Sequence, residues 1–598
     1  MIFSFMSIPS FAVNFYVSPN GNDSNPGTKE KPFSSLEWAK IAVQNSIQKN
    51  KDVEHTIYMA DGFYEIENPV IFDSKYFSDD NRLTIKALEE ENPIISGGIR
   101  LRGWQKNDAG FWVVDLPKKE NEKWNPRELF VGGKRGIRAR FPNTDYLRVK
   151  KAGEDRRTNF FFEKGDFPIP ENVNGVELVL LHDWSISRIG VLDIDSQNNK
   201  LTAVDSIGAK NPLFFNIDHW EENPRYFLEN AIEFLDADYE WFLDIKEQKM
   251  YLKLSETLDP ENLEIVVPYS NGLISMVGDE NNPIKNIHFE GITFRHCNWG
   301  IPKLGYCGVQ ACYFDARPLN GWKEVPAAVK AEWAENCTFE NCSFENLGTS
   351  GLWFSTGCKS CSVKNADFYD ISANGIMIGE GRDRFIDGEV WWKVAPEQVA
   401  LGNTIENCII EKCGTQFFGA IGIWCGFTAE TTIRNNELSD LPYSGISIGW
   451  EWSPIPTPCR NNVIDGNHIH HILKILSDGG GIYMLGLQPE SKLVNNHIHD
   501  VKVNAGRAES NGMFLDEGIT DVIVENNLIY NIAKSPIRFH KATINLVKEN
   551  YLFCTKGNPP IRYNSTKEED IQKVGNNVFS EGDVNYMMEL KEIIKNRK

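Results

Sequence analysis

A recurring asparagine is the feature of this sequence that most limits the folds open to it. Each of these asparagines begins a short segment with apolar residues, such as NCSF, NADF, NHIH or NLIY. The series comprises Asn341, Asn365, Asn407, Asn436, Asn467, Asn496, Asn527 and Asn550. Because the shortest intervals are 23 and 24 residues, we infer a repeat of that length into which loops of variable size are inserted.

A second series, of glycines, opens further apolar segments between the asparagines. These segments read GLWF, GIMI, GISI, GIYM and GMFL, and they begin at Gly351, Gly375, Gly445, Gly481 and Gly512. Gly481 and Gly512 each precede an asparagine of the first series by 15 residues, so these two repeats are in register. Three short strands per repeat, with asparagine at a corner that needs a left-handed bend, predict an all-β chain built on a right-handed parallel β-helix.

Changes in pattern divide the chain into five parts. Residues 1–12 form a signal-peptide-like segment, 13–98 the N-terminal cap and first rungs, and 276–565 the main β-helix with a groove along one sheet. Residues 99–275 contain longer alternating segments separated by turns, which predict an inserted β-sandwich or barrel domain. The charged tail, 566–598, is expected to cap the last rung.

Charge and hydropathy exclude some partners. The net charge of −21 repels nucleic acid and anionic membrane surfaces. No apolar run reaches the length of about 18 residues that a membrane-spanning helix needs, so membrane insertion is not expected. Residues 1–12, MIFSFMSIPSFA, are apolar and end in Ser10-Phe11-Ala12, like the end of a secretory signal whose basic start is missing, which predicts export to the periplasm or the extracellular space. An ordinary buried N-terminal segment is the alternative.

Cysteines and histidines occur at repeat positions. Cys337 and Cys361 each stand four residues before a marker asparagine, so the twelve cysteines are expected as buried free thiols rather than disulfides. Asn-His-Ile-His occurs twice, beginning at Asn467 and Asn496, which favours a stacked histidine ladder over a set of metal ligands. Neither a cofactor nor a metal site is predicted.

Two aspartates interrupt the repeat where apolar or turn residues are expected. Asp478 precedes three glycines, a run that lets a ligand or a neighbouring backbone approach closely. Asp516 takes the place that Leu485 has in the previous rung, which packing does not explain. Both are candidate catalytic residues, with Glu451 and Glu517 in reserve, because a pair of carboxyl groups serves acid–base chemistry. If both rungs were extended the two aspartates would lie more than about 20 Å apart, so either the glycine run turns the chain back or one member of the pair is wrong.

Side chains able to bind a substrate flank these carboxyl groups. Aromatic rings offer stacking surfaces, and amide, imidazole and carboxylate groups offer hydrogen bonds. The predicted substrate-binding residues are Glu380, Trp450, Trp452, Tyr483, Gln488 and His540.

Three segments resemble the parallel β-helix glycoside hydrolases of family 141. They are residues 444–450 (SGISIGW), 478–483 (DGGGIY) and 515–518 (LDEG). The opening segment FYVSPNGNDSNPGTKEKPF is similar, more distantly, to the β-xylosidases of family 120. The family-141 resemblance implies a glycosidase of plant or algal polysaccharides with α-L-fucosidase- or xylanase-like activity. It also implies two catalytic aspartates, which correspond to Asp478 and Asp516.

Three functions are compatible with these patterns. A secreted glycoside hydrolase that acts on a carbohydrate through the carboxylate pair is the leading hypothesis. A polysaccharide lyase or uronate epimerase on the same fold would need a cation to neutralise a uronate, and the groove rungs contain few basic residues. A non-catalytic carbohydrate-binding solenoid would have no carboxylate pair within catalytic reach. The sequence does not indicate an oligomeric state.

Overall fold

The structure, a computed structural model, describes residues 12–49, 53–78, 82–118, 124–210, 215–319, 321–503 and 507–597. The signal-like segment therefore lies outside the described residues, except for Ala12. In the part of the chain that is described, no helix is long and apolar enough to cross a membrane.

Three long parallel sheets form the body of the molecule, and the chain visits them in the order sheet 1, sheet 2, sheet 3 on each turn. Sheet 1 has 13 strands: Val13–Val17, His55–Met59, Leu83–Ala87, Ile287–Glu290, Thr338–Glu340, Ser362–Lys364, Thr404–Glu406, Thr432–Arg434, Val463–Asp465, Ser491–Val494, Val522–Glu525, Asn545–Lys548 and Ile571–Val574. Sheet 2 has 12 strands: Gly62–Glu65, Pro93–Ser96, Thr293–Arg295, Ser343–Leu347, Asp367–Ile371, Ile409–Cys413, Glu437–Ser439, His468–Ile472, His497–Val501, Leu528–Ile532, Tyr551–Cys554 and Asn577–Ser580. Sheet 3 has 11 strands: Val70–Asp73, Ile274–Val277, Ala327–Glu332, Ser350–Phe354, Ile376–Ile378, Ile423–Cys425, Ile446–Ile448, Gly479–Leu485, Ser510–Asp516, Ile537–His540 and Ile561–Asn564. The predicted parallel β-helix is confirmed.

The repeated asparagines have one structural role in the early rungs and another in the late rungs. Asn341, Asn365 and Asn407 adopt the predicted left-handed conformation, with φ of 53°, 50° and 55°. From Asn436 onward the left-handed residue is the one before the marker, and the marker side chain points into the core. There the Nδ2 of each marker donates to the Oδ1 of the next, at 2.9 to 3.1 Å, as from Asn496 to Asn527. This buried ladder satisfies polar groups inside the solenoid and requires asparagine at every rung.

An inserted β-rich domain interrupts the solenoid between Pro93–Ser96 of sheet 2 and Ile274–Val277 of sheet 3. Its strands are almost all antiparallel: Gly98–Arg100, Gln105–Lys106, Trp112–Asp115, Phe130–Val131, Lys134–Arg135, Ile137–Arg138, Arg140–Phe141, Leu147–Arg148, Lys151–Ala152, Asn159–Phe161, Glu177–His182, Ser185–Asp195, Lys200–Ala203, Arg225–Glu229, Glu240–Asp244, Lys249–Leu252 and Ile265–Pro268. This interruption lies within a few residues of the predicted boundaries, 99 and 275. The domain has two hydrophobic cores of its own.

Polar contacts and a shared hydrophobic core connect the inserted domain to the solenoid. Arg135 donates from Nε to Asp370 Oδ1 at 2.7 Å, and Arg188 donates from Nε to the carbonyl of Gln416 at 2.8 Å. Val179 and Leu181 of the insertion pack into the same buried cluster as the solenoid interior. A shared core of this kind holds the inserted domain at a defined position over sheet 3.

A second excursion, which the repeat analysis did not reveal, lies between Thr293–Arg295 and Ala327–Glu332. Its strands are Tyr306–Gly308, Phe314–Asp315 and Trp322–Lys323, and the first pairs with Ser185–Asp195 of the insertion. Smaller strand pairs in other loops are Ile284–Lys285 with Ala334–Glu335, Phe385–Ile386 with Glu389–Val390, and Ala400–Leu401 with Thr428–Ala429. The second excursion thus extends the inserted domain with chain from the next rung.

Among the described residues the α-helices are peripheral: Leu36–Lys49, Ser74–Phe77, Trp391–Val394 and Tyr586–Asn596. The last packs through Leu590 against Leu528 and Phe553 on the outside of sheet 2. Sheets 1 and 2 each gain a strand after residue 565, so the solenoid extends past the start of the predicted cap. All twelve cysteines are free and buried, as their repeat positions suggested.

Candidate active site

A cavity of about 630 Å³ lies between the outer face of sheet 3 and the inserted domain. Its walls come from the C-terminal rungs of sheet 3, from the insertion, from the second excursion and from loops. The lining residues are Trp184, Phe215, Trp220, Val309, Gln310, Tyr313, Trp322, Arg382, Trp452, Asp478, Tyr483, Arg507, Ala508, Phe514, Asp516, Glu517, Arg538 and His540. A concave site with aromatic walls and a few converging charged groups is the usual form of a small-molecule site.

Asp516 ends the strand Ser510–Asp516 and is held on both carboxyl oxygens. Its Oδ2 accepts a hydrogen bond from the Tyr483 hydroxyl at 2.7 Å, and its Oδ1 lies 2.6 Å from His540 Nδ1. Oδ1 also accepts from the backbone N–H of Glu517 at 2.9 Å. These three partners fix the orientation of the Asp516 carboxyl group.

Asp478 immediately precedes the neighbouring strand, Gly479–Leu485. Its Oδ1 accepts from Arg538 Nη1 at 3.1 Å, and its backbone carbonyl accepts from the Tyr443 hydroxyl at 2.8 Å. Burial raises the pKa of Asp478 to about 6; the Arg538 guanidinium opposes this rise, and the carboxylates of Asp516 and Asp183 add to it. Asp478 is therefore a carboxyl group that binds a proton at mildly acidic pH, in the same cavity as the carboxyl group of Asp516.

The two aspartates face one cavity because their partners share one strand. Arg538, which holds Asp478, and His540, which holds Asp516, both lie on Ile537–His540. Residues two apart on a strand point to the same side, with Cα atoms about 7 Å apart. The strand register places Asp516 beside Leu485, as the repeat predicted. Asp478 and Asp516 stand at opposite ends of these neighbouring strands, and both line the same cavity.

The turn at Asp478 differs from the predicted one. Asp478 itself has the left-handed conformation, with φ of 62°, whereas the three glycines that follow lie in the extended strand. The glycines are required by space, because a Cβ on Gly479 would approach Ser444 Oγ to 2.3 Å and one on Gly481 would approach Ile498 Cγ2 to 2.6 Å. The expectation that the glycine run turns the chain back is therefore wrong, and close packing between rungs accounts for the glycines.

The inserted domain contributes cavity residues that lie outside the repeat. Asp183, a buried residue with φ of 63°, accepts from the backbone N–H of Ala508 at 2.8 Å and pairs with Ser477, next to Asp478. Trp184, beside Asp183, and Trp220 from another loop of the insertion form part of the cavity wall. These residues belong to no repeat, so periodicity could not identify them. A buried aspartate followed by tryptophan just after the strand Glu177–His182 was the only local signal.

The two reserve carboxylates have different surroundings. Glu517 lines the cavity and forms an ion pair with Lys541 at 2.8 Å. Glu451 is buried, accepts from Ser453 Oγ at 2.8 Å and pairs with Arg382 at 3.2 Å, so it contacts the cavity only through that arginine. Nearby, burial and the charge of Glu451 raise the pKa of Asp383 to about 6. Glu451 and Glu517 thus each form an ion pair with a basic side chain.

Three of the predicted substrate-binding residues line the cavity, namely Trp452, Tyr483 and His540. The remaining three do not, and the structure corrects their assignment. Trp450 is fully buried and packs edge-on against Trp424 at 5.3 Å, so it has no face for a ligand. Gln488, 1% exposed, donates from Nε2 to the Leu485 carbonyl at 3.1 Å and supports the backbone. Glu380 is bound through both oxygens to Arg384, at 2.7 and 2.9 Å.

A metal ion could approach one group of side chains in the cavity. Asp516, Glu517 and His540 each offer a ligand atom, and these atoms lie within 4.8 Å of one another. The Asp516 and His540 atoms already contact each other at 2.6 Å, and Glu517 is paired with Lys541. These contacts favour a hydrogen-bonded acid–base cluster over a cation site, since a cation would have to displace them.

Comparisons with known proteins agree with this architecture. A family model described as "GH141 insertion domain" matches residues 109–253. A model described as "Right handed beta helix region" matches 281–455, 355–502 and 422–583, which together span just over half of the chain. The first range lies within the inserted domain, and the others cover solenoid rungs that follow it.

Among solved structures, one titled "Glycoside hydrolase" is 23% identical, covers 98% of each chain and has a TM-score of 0.76. The structure of XylC with xylose is 14% identical, covers 94% of this chain and 86% of that one, and has a TM-score of 0.47. The uncharacterized protein YwoF of Bacillus subtilis (strain 168) is 36% identical over 83 residues, which are 14% of this chain and 15% of that protein's length. The chain belongs to the right-handed β-helix family, and its inserted domain matches the GH141 insertion domain.

Proposed function

We propose that the protein hydrolyses O-glycosidic bonds with Asp478 as general acid and Asp516 as the partner carboxylate. The observation that supports this most strongly is that two carboxyl groups face one aromatic cavity in unlike surroundings. Pairs of titratable groups whose environments differ in this way divide the acid and base roles between them. A glycosidase needs such a pair, because one group protonates the leaving oxygen while the other attacks or activates water.

Asp478 suits the acid role because burial raises its pKa to about 6. At or below that pH the carboxyl carries the proton that the glycosidic oxygen needs as its bond to the anomeric carbon breaks. Arg538 then pairs with the carboxylate that is left, at 3.1 Å in the present geometry. The guanidinium thus limits the cost of forming a charge in the cavity.

Asp516 suits the second role because His540 and Tyr483 hold its carboxyl group in one orientation. Tyr483 acts as a hydrogen-bond donor and not as a base, since burial and the Asp516 charge raise its pKa well above the ordinary value. Asp516 either attacks the anomeric carbon, with retention, or activates a water, with inversion. Proton NMR of the anomer formed first distinguishes the two outcomes.

The substrate that the cavity suits is the end of a neutral or weakly charged oligosaccharide. Trp184, Trp220, Trp322 and Trp452 provide flat apolar surfaces on which sugar rings stack. A volume of about 630 Å³ falls in the range of about 300–1,000 Å³ typical of small-ligand pockets. We propose plant or algal polysaccharide fragments as substrates, with α-L-fucosidase- or xylanase-like action, and export of the enzyme to meet them outside the cytoplasm.

A lyase or epimerase acting on a uronate is the second candidate function. One observation favours it: three arginines, Arg382, Arg507 and Arg538, line the cavity and would neutralise a carboxylated sugar. Two of them are paired with Glu451 and Asp478, which leaves less positive charge for a substrate. Hydrolysis therefore fits the charge distribution better.

A screen against fucosylated, xylan, algal galactan and uronate oligosaccharides tests the proposal. Released sugar would be measured by mass spectrometry together with absorbance at about 235 nm, which reports the unsaturated product of a lyase. Hydrolysis predicts products that have gained water without any such absorbance. An unsaturated product, or epimerisation without cleavage, would contradict the proposal. Finding the mature N-terminus in the exported fraction tests the proposed export separately.

A further inference from the structure

A cluster of histidines lies on the outer face of sheet 2, on a different side of the solenoid from the cavity. The strands His468–Ile472 and His497–Val501 lie side by side in parallel, with His468 opposite His497 and His470 opposite His499. The rings stack, His468 on His497 at 4.6 Å and His470 on His499 at 5.0 Å. The sequence predicts this ladder of stacked histidines. Stacking by itself indicates only a structural role.

The ring nitrogens add an arrangement that stacking does not require. His468 Nε2 and His499 Nε2 lie 2.8 Å apart across the two rungs. Together with His497, these residues each offer a ligand atom within 4.8 Å of the other two. Three imidazole nitrogens this close together can bind a divalent transition metal, for which histidine is the commonest ligand.

A carboxylate behind the cluster sets the tautomer of one ring. Asp500 Oδ2 lies 2.7 Å from His499 Nδ1, and Asn531 donates to the other oxygen of Asp500. Because a carboxylate only accepts, the proton sits on Nδ1 and the lone pair of His499 Nε2 points toward His468. A carboxylate that fixes the outer nitrogen of a histidine is the usual support of a metal ligand.

The 2.8 Å contact between the two Nε2 atoms needs a proton on one of them. Because His499 carries its proton on Nδ1, His468 Nε2 is the donor in this geometry. His468 would therefore move this proton to its own Nδ1 when its Nε2 binds a metal.

We propose that His468, His497 and His499 bind a divalent transition metal ion, with Zn²⁺ as the best fit, and that the ion cross-links two consecutive rungs. Zinc–nitrogen bonds are about 2.0–2.1 Å long, so the two Nε2 atoms would move from hydrogen-bond distance to about 3.3 Å, a small side-chain rotation. Water would complete the tetrahedron. The site lies apart from the carboxylate pair, so it is structural and independent of the proposed hydrolysis.

Metal-stripped, tag-free protein titrated with ZnCl₂ in a calorimeter tests this site, with Co²⁺ absorption spectra as a second readout. We expect one ion per chain and a rise in Tm of at least about 2 °C. His499→Gln and His468→Gln should abolish both effects, and Asp500→Asn should weaken binding about 10–100-fold. His288→Gln, which alters a half-buried histidine on sheet 1, is the matched control and should bind as the wild type does.

Two results would overturn the proposal. One is the absence of zinc binding by folded wild-type protein. The other is binding that persists unchanged in His468→Gln and His499→Gln, which would place the ion elsewhere. Far-UV circular dichroism of each metal-free variant shows whether it has folded, and the Asp500→Asn variant, which keeps every ligand, tests the site even if a histidine variant does not fold.

Discussion

Replacing Arg538 by glutamine should move the alkaline limb of the pH–rate profile to higher pH. Asp478 must be protonated to act as the acid, so activity falls as pH rises through its pKa of about 6. Arg538 lowers that pKa, because its positive charge favours the carboxylate. Without it, Asp478 keeps its proton to a higher pH and the limb shifts upward.

The size of the shift follows from the geometry of the pair. The closest nitrogen and oxygen atoms are 3.1 Å apart. With charge centres about 4 Å apart and an effective dielectric constant of about 20, Coulomb's law gives about 4 kcal/mol, or about 3 pKa units. The side chains are 14% and 29% exposed, so water screens part of this energy. We therefore expect a shift of about 1 to 2 units.

The assay is kcat/KM measured across pH on an oligosaccharide that the wild type cleaves, since this ratio reports the free enzyme. Arg384→Gln is the matched control: it also removes an arginine from an ion pair, with Glu380, but outside the cavity. The control should leave the limb where it is. An Arg538→Gln limb that stays in place or moves to lower pH would refute Asp478 as the acid.

Three further predictions follow from the packing. Trp452→Ala should raise KM with little loss of stability, because this ring faces the cavity. Trp450→Ala should instead lower the free energy of unfolding by about 3–5 kcal/mol, because the ring is fully buried. Chemical denaturation measures this loss, and similar stability in the two variants would contradict the placement of the two tryptophan rings. Asn496→Ala should lower the free energy of unfolding by about 2–4 kcal/mol, because it leaves hydrogen-bond partners in the buried ladder unsatisfied. Lys492→Ala, on the exposed side of sheet 1, is the control and should change the free energy of unfolding by less than about 0.5 kcal/mol. A loss at Asn496 no larger than at Lys492 would show that the ladder does not stabilise the solenoid.

The fold was largely predictable because the buried ladder imposes a period on the sequence. Asn467, Asn496 and Asn527 must each bond to the next rung, so one residue type recurs wherever the chain closes a turn. The spacing of the glycines and asparagines then predicted the register between neighbouring rungs. This register correctly placed Asp516 beside Leu485. In the late rungs the left-handed residue is the one before the marker asparagine, one position earlier than predicted. The asparagine recurs there because its side chain forms the ladder, and not because its backbone forms the bend.

The site was only partly predictable because its walls come from chain outside the repeat. Trp184 and Trp220 lie in the insertion and Trp322 in the second excursion, so no period marks them. Trp450 and Trp452 look alike in sequence, since both follow a sheet 3 strand in an irregular loop. Which of them is buried depends on Trp424 and on packing between rungs, and these are tertiary contacts.

The carboxylate pair is tested most directly by substituting each member and each reserve residue. Asp478→Asn and Asp516→Asn should each lower kcat by at least about 10²-fold, because acid–base groups contribute about 10²–10⁴-fold. Glu451→Gln and Glu517→Gln, isosteric changes of paired carboxylates, should lose far less. Released sugar would be quantified for all four variants at equal folded concentration. Full activity in either aspartate variant, or an equal loss in a glutamate variant, would contradict the assignment of Asp478 and Asp516.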